Sequence, residues 1–401
     1  MKVLFYNHTG RVSGAERVLL LALAGLDRDL IQPTVVAPEG DLMAEVADLG
    51  IPCVRVGEFN ARFTMRPDKL ISYAASLIAT VLDLRSKIAA SDPDVVHANS
   101  IRAGIAALFA TRDTRRPVIW HVHDELKPHP LSTAIRLLVL FSKRCRIVAV
   151  SKATAASFAG RLLKTSDIAV VHNAVDVSKI DSVNRSVKLR DRLGVKNDDF
   201  LFGIVGQITP RKGQLELITT FAAVAAQMPA AKLLIVGAPI FNDDYLYESR
   251  LVETVRELGL EERVLFLGQR SDVVAIMKEI DTLIINSSSE AFVMVAIEAM
   301  ACGTAVIATD VGGTREMIEH QHNGLLVDFG DPQQLAGAIT KMYSNGRIRE
   351  IFARRSREKV ERHLNVKSFI RKIQVILVET TIAKQVPSVQ PGLGAGAYDN
   401  K

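Results

Sequence analysis

Cysteine and aromatic residues are scarce in this chain. Its three cysteines, Cys53, Cys145 and Cys302, are far apart and odd in number, so neither a disulfide framework nor metal-ligand spacing is visible and reduced thiols are expected. Phe, Trp and Tyr make up only 5% of the 401 residues. Cores must therefore be built from Leu, Val, Ile and Ala, and the aromatic-basic platform that grips nucleic acid is missing. No apolar run is long enough to span a bilayer. The chain opens directly on a strand-like run, residues 2–6, with none of the charged and apolar regions of an export leader. A cytoplasmic protein is expected. The G-x-G-x-x-G fingerprint of dinucleotide binding is absent as well.

What remains is globular. An apolar fraction of 48% and a charged fraction of 23% provide for two cores, and the length suits two domains. The net charge of +6 and a pI near 9.2 favour anionic partners: nucleotides, phospholipid headgroups or nucleic acid. Of these, only a nucleotide needs a defined pocket. Strand-like runs alternate with helical stretches at 2–6, 33–37, 53–56, 94–97, 117–122, 146–150 and 169–172. A second series follows at 201–205, 233–236, 264–267, 282–285, 305–309 and 324–327. The rhythm predicts two α/β domains, each a doubly wound parallel sheet with helices on both faces. The expected division is 1–175, a charged irregular linker 176–198, 199–364, a last helix 365–384 and a disordered Gly/Pro-rich tail 385–401.

Residues 286–318 organise the rest. A strand, 282–285, runs into the polar turn Ser287-Ser288-Ser289-Glu290, and a helix is expected from near Phe292 to a stop at Gly303. A second strand follows at once. The free N–H groups of Ala291, Phe292 and Val293 would open this helix and favour phosphate. Glu298 lies roughly 8 Å further along the axis, where a carboxylate can accept two hydrogen bonds from a ribose diol. Glu290 would face whatever hangs off the far phosphate. The spacing suits a nucleoside diphosphate bearing a further group. Upstream, 201–205 leads into Gly206-Gln207-Ile208-Thr209-Pro210-Arg211-Lys212-Gly213, where a cation can neutralise a diphosphate without a metal.

The run E-A-F-x-M-V-x-I-E-A-M-A-C-G-T-A-V-I-A-T from Glu290, continued by D-V-G-G-T-R-E from Asp310, closely resembles the signature of the family-4 retaining glycosyltransferases. The similarity spans about residues 2 to 380. It implies the GT-B fold: two Rossmann-like domains facing across a cleft, with the C-terminal helix crossing back to the first. It implies a retaining, metal-independent enzyme with no cofactor, whose donor is a nucleotide diphosphate sugar, uridine being the expected base. The acceptor would be a saccharide or lipid-linked hydroxyl.

By the same resemblance, His123, Glu290 and Lys212 are catalytic, Arg211 assists Lys212, and Gln269 and Arg270 lie beside the base. The glycine loop after the first strand maps onto Gly14, near the donor phosphates or the acceptor. A histidine near the transferred sugar maps onto His123, with Asp124 as its orienting neighbour; His97 and His121 compete for that role. Four positions depart from the family pattern, one of them modestly, Ala174 in place of the usual glycine after Asn173. Gln207 stands where an arginine is usual, and Ala291 and Val293 replace glycines. The last three motivate one rival reading, a non-catalytic nucleotide-sugar sensor or assembly partner; the other rival is a nucleotide-sugar epimerase of the same fold. A helical apolar stretch at 67–90, with Arg55, Arg62, Arg66 and Lys69 clustered just before or at its start, and a second basic and apolar run at 136–146 raise a peripheral membrane contact.

Overall fold

The computed structural model describes residues 1–59, 66–114, 116–142, 144–184, 187–240 and 242–382. The expected tail, 385–401, and Arg62 lie outside the described residues. All thirteen expected strands are present within two residues of their expected bounds. The first sheet holds β1 (Lys2–Tyr6), β2 (Gln32–Ala37), β3 (Cys53–Arg55), β4 (Val95–Ala98), β5 (Val118–Val122), β6 (Cys145–Ala149) and β7 (Ala169–Val170). The second holds β8 (Phe200–Val205), β9 (Ala231–Val236), β10 (Val264–Gly268), β11 (Thr282–Ile285), β12 (Ala305–Thr309) and β13 (Leu325–Val327). Strands such as Val-Leu-Phe-Tyr and Thr-Leu-Ile-Ile are apolar on consecutive positions because helices cover both faces of a parallel sheet.

The strand orders are β3-β2-β1-β4-β5-β6-β7 and β10-β9-β8-β11-β12-β13. Each order reverses once, between β1 and β4 and between β8 and β11. At such a reversal the loops diverge and leave a crevice at the strands' carboxyl ends. The glycine loop and the Gly206–Lys212 segment follow β1 and β8, and the Asn286–Val293 loop follows β11. These loops therefore rim the two crevices.

The last helix, Val366–Ile382, returns to the first domain. Its Phe369, Ile373 and Leu377 share one core with Val18, Leu19 and Leu23 of the helix Gly14–Gly25. Gly25 is where the two helices touch: a Cβ there would stand 1.9 Å from Ile370 Cδ1. The two chain crossings between domains lie side by side, the Val175 N–H donating to Leu364 O (3.1 Å) and the Val366 N–H to Val175 O (3.2 Å).

Three local expectations are corrected. The stretch between the domains is not irregular: it contains the helices Val177–Ser182 and Val187–Leu193. Gly14, expected in the glycine loop after the first strand, is the first residue of the helix Gly14–Gly25, because Ser13 and Glu16 form a capping box that fixes its start. The helix expected from Phe292 begins at Met294, since Val293 is still extended (φ −88°, ψ 98°) and serves as its N-cap.

Candidate active site

The core of the site is a seam between the loop after β8 and the loop after β11. The Ser288 N–H donates to Arg211 O (2.9 Å), and Asn286 Nδ2 donates to Gly213 O (2.9 Å). Gly213 sits at φ +66°, and a Cβ there would fall 2.2 Å from Asn286 O, so only glycine lets the two loops close. Closure brings Lys212 Nζ to 2.5 Å from Glu290 Oε1 and Arg211 Nη1 to 3.2 Å from the same oxygen. Arg211 Nη1 also donates to Ser289 O at 2.8 Å.

Glu290 and Lys212 are largely buried, whereas Arg211 is open to the cleft. Burial alone would raise the Glu290 carboxyl; the charges of Lys212 and Arg211 reverse this and hold it below the ordinary carboxylate range. The seam thus carries two cations against one carboxylate. Beside it, the N–H groups of Ala291, Phe292 and Val293 meet no acceptor among the described residues. Because the helix starts at Met294, these donors belong to the loop, and the N–H groups of Met294 and Val295 extend the row, those of Ala296 and Ile297 being bonded to Val293 O.

Glu298 is half-buried on this helix. Burial pushes its carboxyl up, and Arg17 on the opposite domain offsets part of that. Gln207 is not free to act as a donor toward the seam. Its Nε2 donates to the buried Asp244 Oδ2 at 2.7 Å, and its backbone carbonyl accepts from Gln214 Nε2 at 2.9 Å. Arg270 makes a two-pronged pair with Asp272 at 2.8 and 2.7 Å, and Gln269 beside it is exposed. The structure therefore brings Lys212, Arg211 and Glu290 into contact, whereas Gln207 and Arg270 are each engaged by their own carboxylate.

On the facing domain, His123 is buried at the carboxyl end of β5 and shares a hydrogen bond with Asn99 Oδ1 through Nε2 (2.9 Å). The expected pairing with Asp124 is corrected: Asn99, at the end of β4, is the orienting residue. Asn99 Nδ2 in turn donates to Asn7 Oδ1 (3.1 Å), and Asn7 Nδ2 to Glu16 Oε1 (3.1 Å), so one buried chain runs from β5 to the helix that begins at Gly14. His123 Nδ1 is left without a partner among the described residues. His121 and His97 lie deeper, with ring centroids 4.2 Å from His123 and 5.4 Å from His121 respectively. Asp124 instead opens to the cleft, its carboxyl pushed up by its crowded surroundings and drawn back by Arg102 and Arg211.

Sequence reasoning assigned no role to Asn7, Asn99, Glu125 or Glu316, although Glu316 closes the D-V-G-G-T-R-E run. Asn7 and Asn99 both end strands at the first sheet's reversal, a signal that could have found them. Ser289 Oγ donates to Glu125 Oε2 across the cleft (3.1 Å). Glu316 accepts from the N–H groups of Lys152 (2.9 Å) and Ala153 (3.1 Å), and His172 Nε2 lies at 2.7 Å. It caps a helix of the other domain, something that no local pattern reveals. Among the described residues no group of three His, Cys, Asp or Glu side chains is placed to hold a metal ion.

Two Rossmann-like domains whose crevices face each other, with a cation-rich seam in the second, define a GT-B glycosyltransferase. The chain belongs to the family-4 glycosyltransferases. The family model described as Glycosyltransferase Family 4 matches residues 12–179, and that described as Glycosyl transferases group 1 matches residues 186–359. The chain is 22% identical to the UDP-Gal:alpha-D-GlcNAc-diphosphoundecaprenol alpha-1,3-galactosyltransferase of Escherichia coli, over 93% of this chain and 95% of that one. A shorter match, 34% identical over 46% of this chain and 44% of the other, is to the D-inositol 3-phosphate glycosyltransferase of Mycobacterium sp. (strain KMS). Among solved structures, the Anabaena protein Alr3699/HepE in complex with UDP is similar over 94% of this chain and 100% of its own, with a TM-score of 0.79 and 27% identity. Its complex with UDP-glucose gives 0.78 and 28%. The chain is accordingly a glycosyltransferase, and neither the sensor nor the epimerase reading gains support.

Proposed function

We propose that this enzyme transfers a hexose, with retention of configuration, from a UDP-sugar to a hydroxyl of a lipid-linked or saccharide acceptor on the cytoplasmic side of a membrane. The observation that carries the reading is the Lys212–Arg211–Glu290 seam beside the unpaired N–H groups of 291–293. Two cations and a row of donors suit a diphosphate, and the one carboxylate they surround suits the hydroxyls of the sugar beyond it. The similarity to a protein solved with UDP and with UDP-glucose supports uridine as the base.

In this reading Glu298 accepts the ribose hydroxyls, and Gln269 and Arg270 flank the base. Lys212 and Arg211 neutralise the diphosphate as it leaves, and Glu290 holds the sugar. Gln207 shapes the pocket from behind through Asp244 rather than contributing charge. Ala291 and Val293 narrow the approach to the sugar, with Phe292 between them. Gly14 and His123 meet the acceptor at the junction of the domains, the division being 1–175, 176–198, 199–364 and 365–384. His123 is neutral, so its ring can accept from or donate to a hydroxyl without adding charge. The acceptor's proton passes to the departing phosphate on the same face of the sugar.

The test is thermal stabilisation by UDP, GDP, ADP and their sugars on the wild type and on Glu298→Ala. A ligand at about 100-fold over its dissociation constant adds near 2.7 kcal/mol to the folded state. A shift with UDP and UDP-sugars alone, lost in Glu298→Ala, is expected. A shift with GDP or ADP alone overturns the choice of base; no shift with any nucleotide overturns the donor site.

A further inference from the structure

We infer that the outer face of the helices Pro67–Ser91 and Pro130–Leu140, with Phe141, docks on an anionic lipid bilayer; this deepens the proposed reading of an acceptor at a membrane and rests on it. Both helices pack their inner sides into the same core, through Leu84 and Ile88 and through Ile135 and Val139. They cover one face of the first sheet, so their outer sides point the same way. There the usual polar coat is missing. Ile71, Ile78 and Leu82 are 73%, 61% and 62% exposed and recur at helical spacing, and Phe141 is 83% exposed beside the exposed Leu137 and Leu140. The outward positions between them on the longer helix, Ala75 and Ala79, carry no charge. An apolar face on a helix that already has a buried face is unpartnered and marks an interaction surface.

Charge selects the occupant. Residues 126–166 carry eight Lys or Arg and no Asp or Glu, while the whole chain has a net charge of +6; the remainder of the chain is therefore net acidic. This cation-only segment contains the helix Pro130–Leu140 and places the exposed Arg144 three residues from Phe141. Arg144 Nη1 also reaches Thr114 O (3.3 Å), and Arg85 pairs with Asp113 (2.9 Å), which ties the segment to the longer helix. The other basic cluster expected at the start of that helix contributes less, because Arg55 is paired with Glu39 and Arg66 with Asp68. Apolar side chains that enter the headgroup boundary, flanked by a segment that carries cations and no acidic residue of its own, match an anionic bilayer rather than a protein groove.

The experiment is co-sedimentation of the full chain with vesicles of phosphatidylcholine alone or with phosphatidylglycerol, at low and high salt. It is run on the wild type, on Phe141→Ser with Leu140→Ser, and on Ile78→Ser with Leu82→Ser. Each sample is also tested for stabilisation by UDP. Binding is expected to require phosphatidylglycerol, to weaken with salt, and to fall about tenfold or more in each double variant. Absence of vesicle binding, or binding that survives both double variants, overturns the inference. Concentration-dependent self-association in light scattering that the same variants abolish also overturns it, in favour of a second copy on this face. UDP stabilisation preserved in all three proteins shows that they are folded, and its presence or absence judges the donor reading separately.

Discussion

Acid should unfold the first domain before the second, and the reason is histidine. His8, His97, His121 and His123 are all buried in the first domain. Burial lowers His8 and His97 to about 4 and His123 to about 3, with Arg102 adding to the effect on His8 and His97 to that on His123; His121 is held well below its ordinary value by the same cause. In the unfolded chain each ring takes a proton near pH 6.5. A group whose folded pKa is depressed contributes stability that is present above the unfolded value and lost as the pH falls toward the folded one. Counting only His8, His97 and His123, each leaves the unfolded state richer by about 0.9 proton at pH 5.5, a slope of roughly 3 to 4 kcal/mol per pH unit. Between pH 7 and pH 5 the loss is about 5 kcal/mol, comparable with the whole stability of an ordinary domain. Asp124 works in the opposite sense by one proton at most. The only tryptophan, Trp120, is buried in the first domain's core with its ring N–H bonded to Ser100 O at 2.9 Å, so its fluorescence reports on that domain alone. Urea unfolding followed by Trp120 fluorescence should show a midpoint that falls sharply from pH 7 to pH 5. Far-UV circular dichroism should retain the second domain's signal to higher urea. His97→Gln should reduce the pH slope by about one proton. A fluorescence midpoint that does not move between pH 7 and pH 5 would refute the reasoning.

Two further outcomes test the seam. Lys212→Met leaves the buried Glu290 with Arg211 alone, and should destabilise the protein by on the order of 3 kcal/mol in urea unfolding, partly restored when Glu290→Gln is added. Gly313→Ala places a Cβ 2.3 Å from Ala291 O and 3.0 Å from Ser151 Cβ. It should cost roughly 1–3 kcal/mol through forced backbone movement and weaken UDP binding measured by calorimetry; unchanged UDP affinity would separate that glycine from the donor loop.

The fold was legible because parallel strands buried on both faces have to be apolar throughout, and thirteen such runs stand out in a chain poor in aromatics. Their grouping into two sheets follows from sequence order. The contact of Lys212 and Arg211 with Glu290 was anticipated only as a common role, from the motifs that follow β8 and β11. What the sequence hid was decided by tertiary competition. Asn99 took the place expected of Asp124 because a buried imidazole finds its acceptor on the neighbouring strand, not on the next residue. The helix at Met294 starts late because Val293 keeps an extended backbone, and β-branched residues tolerate that readily. Gln207 could be seen to lack a charge, but its attachment to Asp244 depends on a helix more than thirty residues away.

The segment Val311–Glu316 explains how the donor loop and the domain interface act together. The Gly313 N–H donates to Glu290 O (3.0 Å), and Gly312 has room for no Cβ, which would fall 1.8 Å from the same carbonyl and 2.5 Å from Glu125 Oε1 of the facing domain. Three residues on, Glu316 caps the helix Lys152–Ala159 of that domain and meets His172, whose ring stacks on Phe292 at 5.6 Å. The Glu290 loop is therefore held from behind by a strap whose far end is bonded across the cleft. A shift of the domains that breaks the Glu316 bonds must be transmitted to Gly312, Gly313 and the Glu290 carbonyl, because two adjacent glycines packed against backbone leave no slack between them. Conversely, in the proposed reading a sugar diphosphate that draws Lys212 and Arg211 toward itself would pull on Glu290, which both cations contact, and through it on the strap. On that reading, ligand binding and domain position are linked by shared bonds, and a change that loosens one is expected to appear in the other.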